Sequence, residues 1–193
     1  MKEKDMYVPI QNWLSKRGYV VNEEWINKGA AKYRVDVIGV RSTGSVRQDD
    51  IEVVAVEAKV WGNLTSLGQV ENYKDFAHKV YFATANEWIV DRYKDDCFRR
   101  KVGMLLVKSR RVLEIIAAPS ENPRSEPLMA ELLGNLYIVR CTLCQCYFDL
   151  WDEWDGTIYF PRHAQFKKSS TRIDRCLCEA CKEQIIKMRS KEE

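Results

Sequence analysis

The hydrophobic pattern of this chain is marked between positions 51 and 60, where seven of the ten residues of Ile-Glu-Val-Val-Ala-Val-Glu-Ala-Lys-Val are apolar. Side chains of a strand alternate between its two faces, so Val54, Val56, Ala58 and Val60 form one apolar face. Glu57 and Lys59 then project together from the other face, behind Val53 and Ala55. Just upstream, Tyr33-Arg34-Val35-Asp36-Val37-Ile38-Gly39-Val40 is a second run rich in β-branched residues, and Asp36 shares a face with Ile38 and Val40. Between the two runs lie Ser42-Thr43-Gly44-Ser45 and Asp49-Asp50, which are turn formers. The pattern predicts an antiparallel hairpin whose register can bring Asp36 beside Glu57.

Past Lys59 the period changes. Leu67, Val70, Tyr73, Phe76 and Ala77 recur at three- and four-residue steps, which predicts a helix over 64–77 capped by Thr65 or Ser66, with Gln69 and Tyr73 on one side of it. Val80 to Ala85 reads as a buried strand. At the amino end, Tyr7, Ile10, Trp13 and Leu14 follow helical spacing, Gly18 stands where a helix stops, and Pro9 is tolerated only in the first turn. Val20 to Trp25 is expected to begin the sheet. Gly103–Val107 and Arg111–Ala117 are expected to form a second hairpin across Lys108-Ser109-Arg110. These elements define an α/β or α+β domain with a mixed sheet of about five or six strands.

Glu57, Lys59 and Asp36 are charges set into apolar strands, where ionised groups are costly unless paired or bound to a ligand. An Asp, a Glu and a Lys at one end of a sheet can hold a hard divalent cation and position a water beside it. A Glu-x-Lys pair on a strand also occurs as an ordinary surface ion pair, and the apolar partner face with Asp36 speaks for a site.

Asp36, then Glu57-x-Lys59, then Gln69-x-x-x-Tyr73, in this order on strand, strand and helix, resembles the PD-(D/E)xK nuclease superfamily, and the Gln-x-x-x-Tyr element its RecB-like branch. Val35 stands where the family often has a proline. The resemblance covers about residues 1–118. It implies a restriction-endonuclease-like mixed sheet flanked by helices and cleavage of DNA phosphodiester bonds with Mg²⁺ or Mn²⁺. Asp36 and Glu57 would hold the metal, together with a backbone carbonyl near Ala58. Lys59 would orient or deprotonate the attacking water, and Gln69 and Tyr73 would hydrogen-bond the nucleophile or phosphate. Tyr73 can equally be a packing residue. A first-helix acid contributes in many members; Glu3 is the candidate, with Asp5, Glu23 and Glu24 competing.

Pro119, Pro123 and Pro127 lie among Ser and Glu residues and mark residues 119–137 as a linker, ending in a short helix from Leu128 to Leu136. Residues 138–193 form a second module, defined by six of the seven cysteines: Cys141-x-x-Cys144-x-Cys146 and Cys176-x-Cys178-x-x-Cys181. Two knuckles, Cys141/Cys144 and Cys178/Cys181, can complete a tetrahedral Zn²⁺ site, with the second pair opening a helix. This resembles a treble-clef or zinc-ribbon finger and leaves Cys146 and Cys176 spare. An iron–sulfur cluster, disulfides, or another choice of four cysteines are the alternatives. Cys97 stands apart as a buried, inert thiol, and His78 and His163 have no partner evident from sequence.

Composition adds bounds. A chain of 193 residues suffices for one core and a small metal-stapled module. The charged start Met1-Lys2-Glu3-Lys4-Asp5 precedes no apolar stretch, so the expectation is a cytoplasmic protein without signal peptide or membrane span. The net charge of +3 does not announce nucleic acid. Local clusters say more: Arg99-Arg100-Lys101, and Arg162, Lys167, Lys168, Arg172 and Arg175 around His163 and Phe166, offer phosphate contacts and stacking. The acidic stretch Asp149 to Asp155, with Trp151 and Trp154, suits a protein partner instead. Two functions follow: a metal-dependent nuclease whose finger grips DNA, or a non-catalytic module that binds nucleic acid or protein on a nuclease-like scaffold. A homodimer is compatible with either.

Overall fold

The computed structural model describes residues 2–26, 33–43, 51–61, 64–136, 138–140 and 147–149. The chain divides into two compact units, one formed by Met1–Thr43 with Ile51–Met129 and the other by Gly44–Asp50 with Ala130–Glu193.

The first unit is a six-stranded mixed sheet in sequential order: β1 (Val20–Ile26), β2 (Arg34–Ser42), β3 (Ile51–Ala58), β4 (Lys79–Thr84), β5 (Gly103–Lys108) and β6 (Arg111–Ile116). β1–β2, β2–β3 and β5–β6 are antiparallel, whereas β3–β4 and β4–β5 are parallel. The parallel steps need crossovers, which helices α2 (Leu64–Asn72) and α3 (Glu87–Arg99) supply. A central strand covered on both faces should be continuously apolar, and every residue of β3 is buried.

One face of the sheet is covered by α1 (Tyr7–Ser15), which follows a 3₁₀ turn at Glu3–Met6. Ile10, Trp13 and Leu14 pack there on Val37, Val54, Val56, Tyr81 and Leu105. Pro9 falls in the helix's first turn, where its missing N–H costs nothing, and Gly18 closes the segment at φ +80°, the left-handed region that favours glycine. The other face carries Val53, Ala55 and Phe82, with the buried side chains of Leu67, Val70 and Phe76 and of Ile89, Val90 and Cys97 from α2, its extension and α3. The helix expected over 64–77 is α2 to Asn72, then a 3₁₀ turn at Tyr73–Asp75. The hydrophobic pattern predicts no element where α3 lies.

Cys97 is buried as expected, and burial pushes its thiol up to about 12, so it is not a reactive thiolate at neutral pH. His78, which had no evident partner, accepts the Val53 amide through Nδ1 at 3.1 Å. The proline-bearing stretch after β6 is irregular but fastened: Glu121 N–H donates to His78 O, Arg124 N–H to Lys74 O and Ser125 N–H to Asp75 O, while Lys74 and Lys101 both pair with Glu121. The following helix, α4, spans Glu126–Asn135, with Pro127 in its first turn.

In the second unit, β7 (Ile138–Arg140) pairs antiparallel with β8 (Tyr147–Asp149), from Ile138↔Asp149 to Arg140↔Tyr147. The cysteines at 141, 144, 146, 176, 178 and 181, and His163, lie outside the described residues. Among the described residues, no helix is long and apolar enough to cross a membrane.

Candidate active site

The β2–β3 register pairs Val37 with Val56, which sets Asp36 beside Glu57 on the face away from the bulk of α1. Asp36 ends the ladder: one carboxylate oxygen accepts the Ala58 amide at 2.9 Å, and the other accepts the Tyr7 hydroxyl at 2.7 Å. Both acids are inaccessible, Asp36 at 3% exposed and Glu57 at 1%. Lys59 follows at the strand's end, and its N–H donates to Ala83 O of β4. The cluster thus stands at the carboxyl ends of two parallel strands, a position where open α/β sheets commonly bind ligands.

The Lys59 ammonium is the focus. Its Nζ lies 2.7 Å from Glu57, 2.8 Å from Glu3, 3.6 Å from Asp36, and 3.3 Å from the Ala58 carbonyl oxygen. This arrangement separates the competing acids of the first segment. Asp5 accepts the Lys2 backbone N–H at 2.7 Å and caps the turn, whereas Glu3, two residues earlier in the chain, reaches the site. The side chains of Glu23 and Glu24 lie outside the described residues.

Tyr73 joins from behind. Its oxygen lies 2.5 Å from Glu57 Oε2 and 2.5 Å from the Arg34 carbonyl oxygen, and it accepts Gln69 Nε2 at 3.0 Å. A hydroxyl carries one proton, so it cannot fully serve two acceptors. If Glu57 carries a proton, it donates to Tyr73, which then donates to Arg34 O, and all partners are satisfied. The electrostatics agree. Burial, and then the Asp36 charge, push the Glu57 carboxyl above its ordinary range against the opposing pull of Lys59 and Tyr73. Burial, and then Glu57, also raise Tyr73, which stays a neutral hydroxyl. Gln69 touches Tyr73 and neither carboxylate, so it acts on Glu57 through Tyr73.

For Lys59, burial works to lower the pKa, but hydrogen bonds to Glu3 and Glu57 and the charge of Asp36 outweigh it and hold the ammonium above its ordinary range. In this arrangement Lys59 is a cation that orients and neutralises, and it is not poised as a proton acceptor. That narrows the pair of roles expected from sequence. Tyr7 was missed as a site residue. Its helical spacing marked it as core, which its ring is, and only the distant pairing with Asp36 reveals its hydroxyl's task.

Among the described residues, no three His, Cys, Asp or Glu side chains stand close enough to hold a metal as they are. The donor set is nevertheless of the right kind for Mg²⁺ or Mn²⁺. Three carboxylates and a backbone carbonyl, all hard oxygens, converge on one point, and the point is held by a single ammonium. Three acids stand against one base at this point.

No protein-family model and no curated protein matches this chain. Among solved structures it is similar to the SPO1766 protein of unknown function from Silicibacter pomeroyi, at 16% identity over 70% of this chain and 83% of that one, with a TM-score of 0.49.

Proposed function

We propose that this chain is a divalent-metal-dependent nuclease that hydrolyses DNA phosphodiester bonds at the cluster of Asp36, Glu57 and Lys59. The observation that carries the reading is the convergence of three buried or half-buried carboxylates and the Ala58 carbonyl on one ammonium at the end of β3. A buried carboxylate in excess of its cations costs desolvation that no partner offsets.

In this reading Asp36, Glu57 and the Ala58 carbonyl hold Mg²⁺ or Mn²⁺, which when bound would acidify a water and neutralise charge on the scissile phosphate. Tyr7 and the Ala58 amide hold Asp36 in one orientation, as supporting hydrogen bonds do for metal ligands generally. Tyr73 stays a neutral hydroxyl and turns its own proton from Arg34 O to the carboxylate when Glu57 is ionised, and Gln69 keeps the phenol in place. Lys59, freed from the carboxylates, offers its charge to the phosphate oxygens as negative charge grows there. Trp61, two residues further on and 74% exposed, presents an aromatic face on which a base can stack.

The second unit is read as a zinc finger that helps hold the substrate, using Cys141, Cys144, Cys178 and Cys181. β7 and β8 pair on either side of Cys141–Cys146 in the sequence, as the strands of a zinc-knuckle hairpin do. Metal analysis of the purified protein should find about one zinc per chain. Iron with cluster absorbance in the visible would replace zinc by an iron–sulfur centre.

The test of function is direct. Purified protein should cut single-stranded, duplex or branched DNA when Mg²⁺ or Mn²⁺ is added and stop when it is chelated. Failure on all three substrates with both ions would overturn the nuclease and leave the binding module in its place.

A further inference from the structure

β3 carries a second charged cluster at its other end, on the other face of the sheet. Glu52, 7% exposed, accepts hydrogen bonds from Tyr19 and, at 2.9 Å, from Arg41 Nε, and it pairs with Lys79 at 3.0 Å. Burial alone would raise its pKa, but Tyr19, Lys79 and Arg41 together outweigh burial and hold it below the ordinary value. Glu52 is therefore a carboxylate shared by two cations. Beside it opens a cavity of about 330 Å³, walled by the carboxyl end of α1, the amino ends of β3 and β4, and the segment after β6.

The walls are of two kinds. Trp13, Val54 and Ala118 are apolar and buried. Arg17, Arg41 and Lys79 are cationic, and Glu114 is the one acid among the lining residues. Glu114 is already engaged: it accepts the Tyr81 hydroxyl at 2.7 Å and lies 3.8 Å from Arg17, at the limit of an ion pair. Arg17 also donates to Trp13 O at 3.2 Å and stands 3.9 Å over the Trp13 ring. Counting Glu52 behind the wall, three cations face two carboxylates. The balance is opposite to that at the Lys59 cluster, where acids are in excess. The volume lies within the range of small-ligand pockets, and apolar walls with a few placed charges are their usual make-up.

We infer that this cavity is a binding site, separate from the carboxylate cluster, for a small organic anion: a phosphate monoester or a carboxylate on a compact apolar body, gripped between Lys79 and Arg17. Arg17 offers a fork suited to two oxygens of one anion, and Lys79 a point charge beside it. The apolar walls give the body of the ligand a surface that inorganic phosphate cannot use.

Calorimetric titration of the full-length protein with its zinc retained and no Mg²⁺ or Mn²⁺ added distinguishes the sources. Phenyl phosphate, benzoate and inorganic phosphate are the three probes. At least one organic anion should bind, and inorganic phosphate should bind more weakly than the monoester. Lys79→Gln and Arg17→Gln should each weaken binding about 10-fold or more, as loss of a charged partner does. Glu57→Gln should leave it unchanged, because that residue belongs to the other cluster. Arg17 is a surface side chain, so its variant keeps the test sound even if Lys79→Gln unsettles the fold. No binding of any probe at millimolar concentration, equal binding by the parent and both lining variants, or loss on Glu57→Gln would each sink the assignment. DNA cleavage by the Arg17 variant should be unaltered, so this site can fail while the nuclease stands, and the reverse.

Discussion

Glu57→Gln should give a protein at least as stable as the parent that has lost metal-dependent DNA cleavage by about 10²-fold or more. Both halves follow from the same hydrogen bonds. A glutamine keeps the shape of the side chain. Its amide oxygen can accept the Lys59 ammonium where Glu57 Oε1 does now, and its amide nitrogen can donate to Tyr73, which passes its own proton to Arg34 O. That is the fully satisfied arrangement which the ionised acid cannot reach. It also removes one of three negative charges from a buried cluster, so a gain of up to about 2 kcal/mol is expected. What the amide cannot do is bind a hard dication as a charged ligand.

The pH dependence gives this prediction a second reading. The Glu57 carboxyl is raised in the folded protein above its ordinary value of 4.5. A group raised on folding contributes stability that is fully present below its unfolded pKa and lost as pH climbs through its folded one. Near pH 4 parent and variant should therefore be similar, since both are neutral at this position. The variant's advantage should open above 4.5 and be complete at pH values beyond the raised pKa. Denaturant midpoints at acid and neutral pH measure the gap. A variant that is clearly less stable at neutral pH would mean that Glu57 is held as a structural ion-pair partner of Lys59, and the argument for a metal ligand would lose its footing.

Several parts of this architecture are legible in the sequence. The stripe Tyr7, Ile10, Trp13 and Leu14 marks α1 because all four are buried against one sheet face. Strand parity alone set Asp36 beside Glu57, because a one-residue slip in the hairpin would have thrown Val37 and Val56 off the core. α3 was not legible for the converse reason. Its buried residues, Ile89, Val90, Tyr93 and Cys97, sit among charges, while Trp88 and Phe98 are exposed on the same helix and blur the stripe. In the candidate site, residue types were readable and ionisation was not. Lys59 as a fixed cation depends on Glu3, which is brought from the first turn by packing of α1, 56 residues away in sequence. Whether Glu3 or Asp5 reached the site turned on a capping bond that sequence spacing leaves open.

Gly103→Ala should be among the most damaging single changes in the first unit, although it adds one methyl group. Gly103 pairs with Tyr81 across β4 and β5, and the Tyr81 ring lies over it. A Cβ there would stand 2.3 Å from Tyr81 Cε1, 2.4 Å from Cδ1 and 2.9 Å from Ala118 Cβ. The ring has little room to yield. It meets Trp13 of α1 edge-on at 5.5 Å, donates its hydroxyl to Glu114 of β6 and accepts the Ala118 amide at 3.3 Å. Overpacking of this kind costs roughly 1–3 kcal/mol, and the hydrogen bonds lost as the ring leaves bring the total to about 2–4 kcal/mol. Because Tyr81 also lines the cationic cavity, anion binding there should weaken together with stability. The cause can be separated from a general intolerance of this strand by a double-mutant cycle. In a Tyr81→Ala background the two ring contacts are gone and only the 2.9 Å approach to Ala118 Cβ remains, so Gly103→Ala should cost less than it does in the parent. Equal costs in the two backgrounds would show that the ring is not what makes glycine necessary at this position.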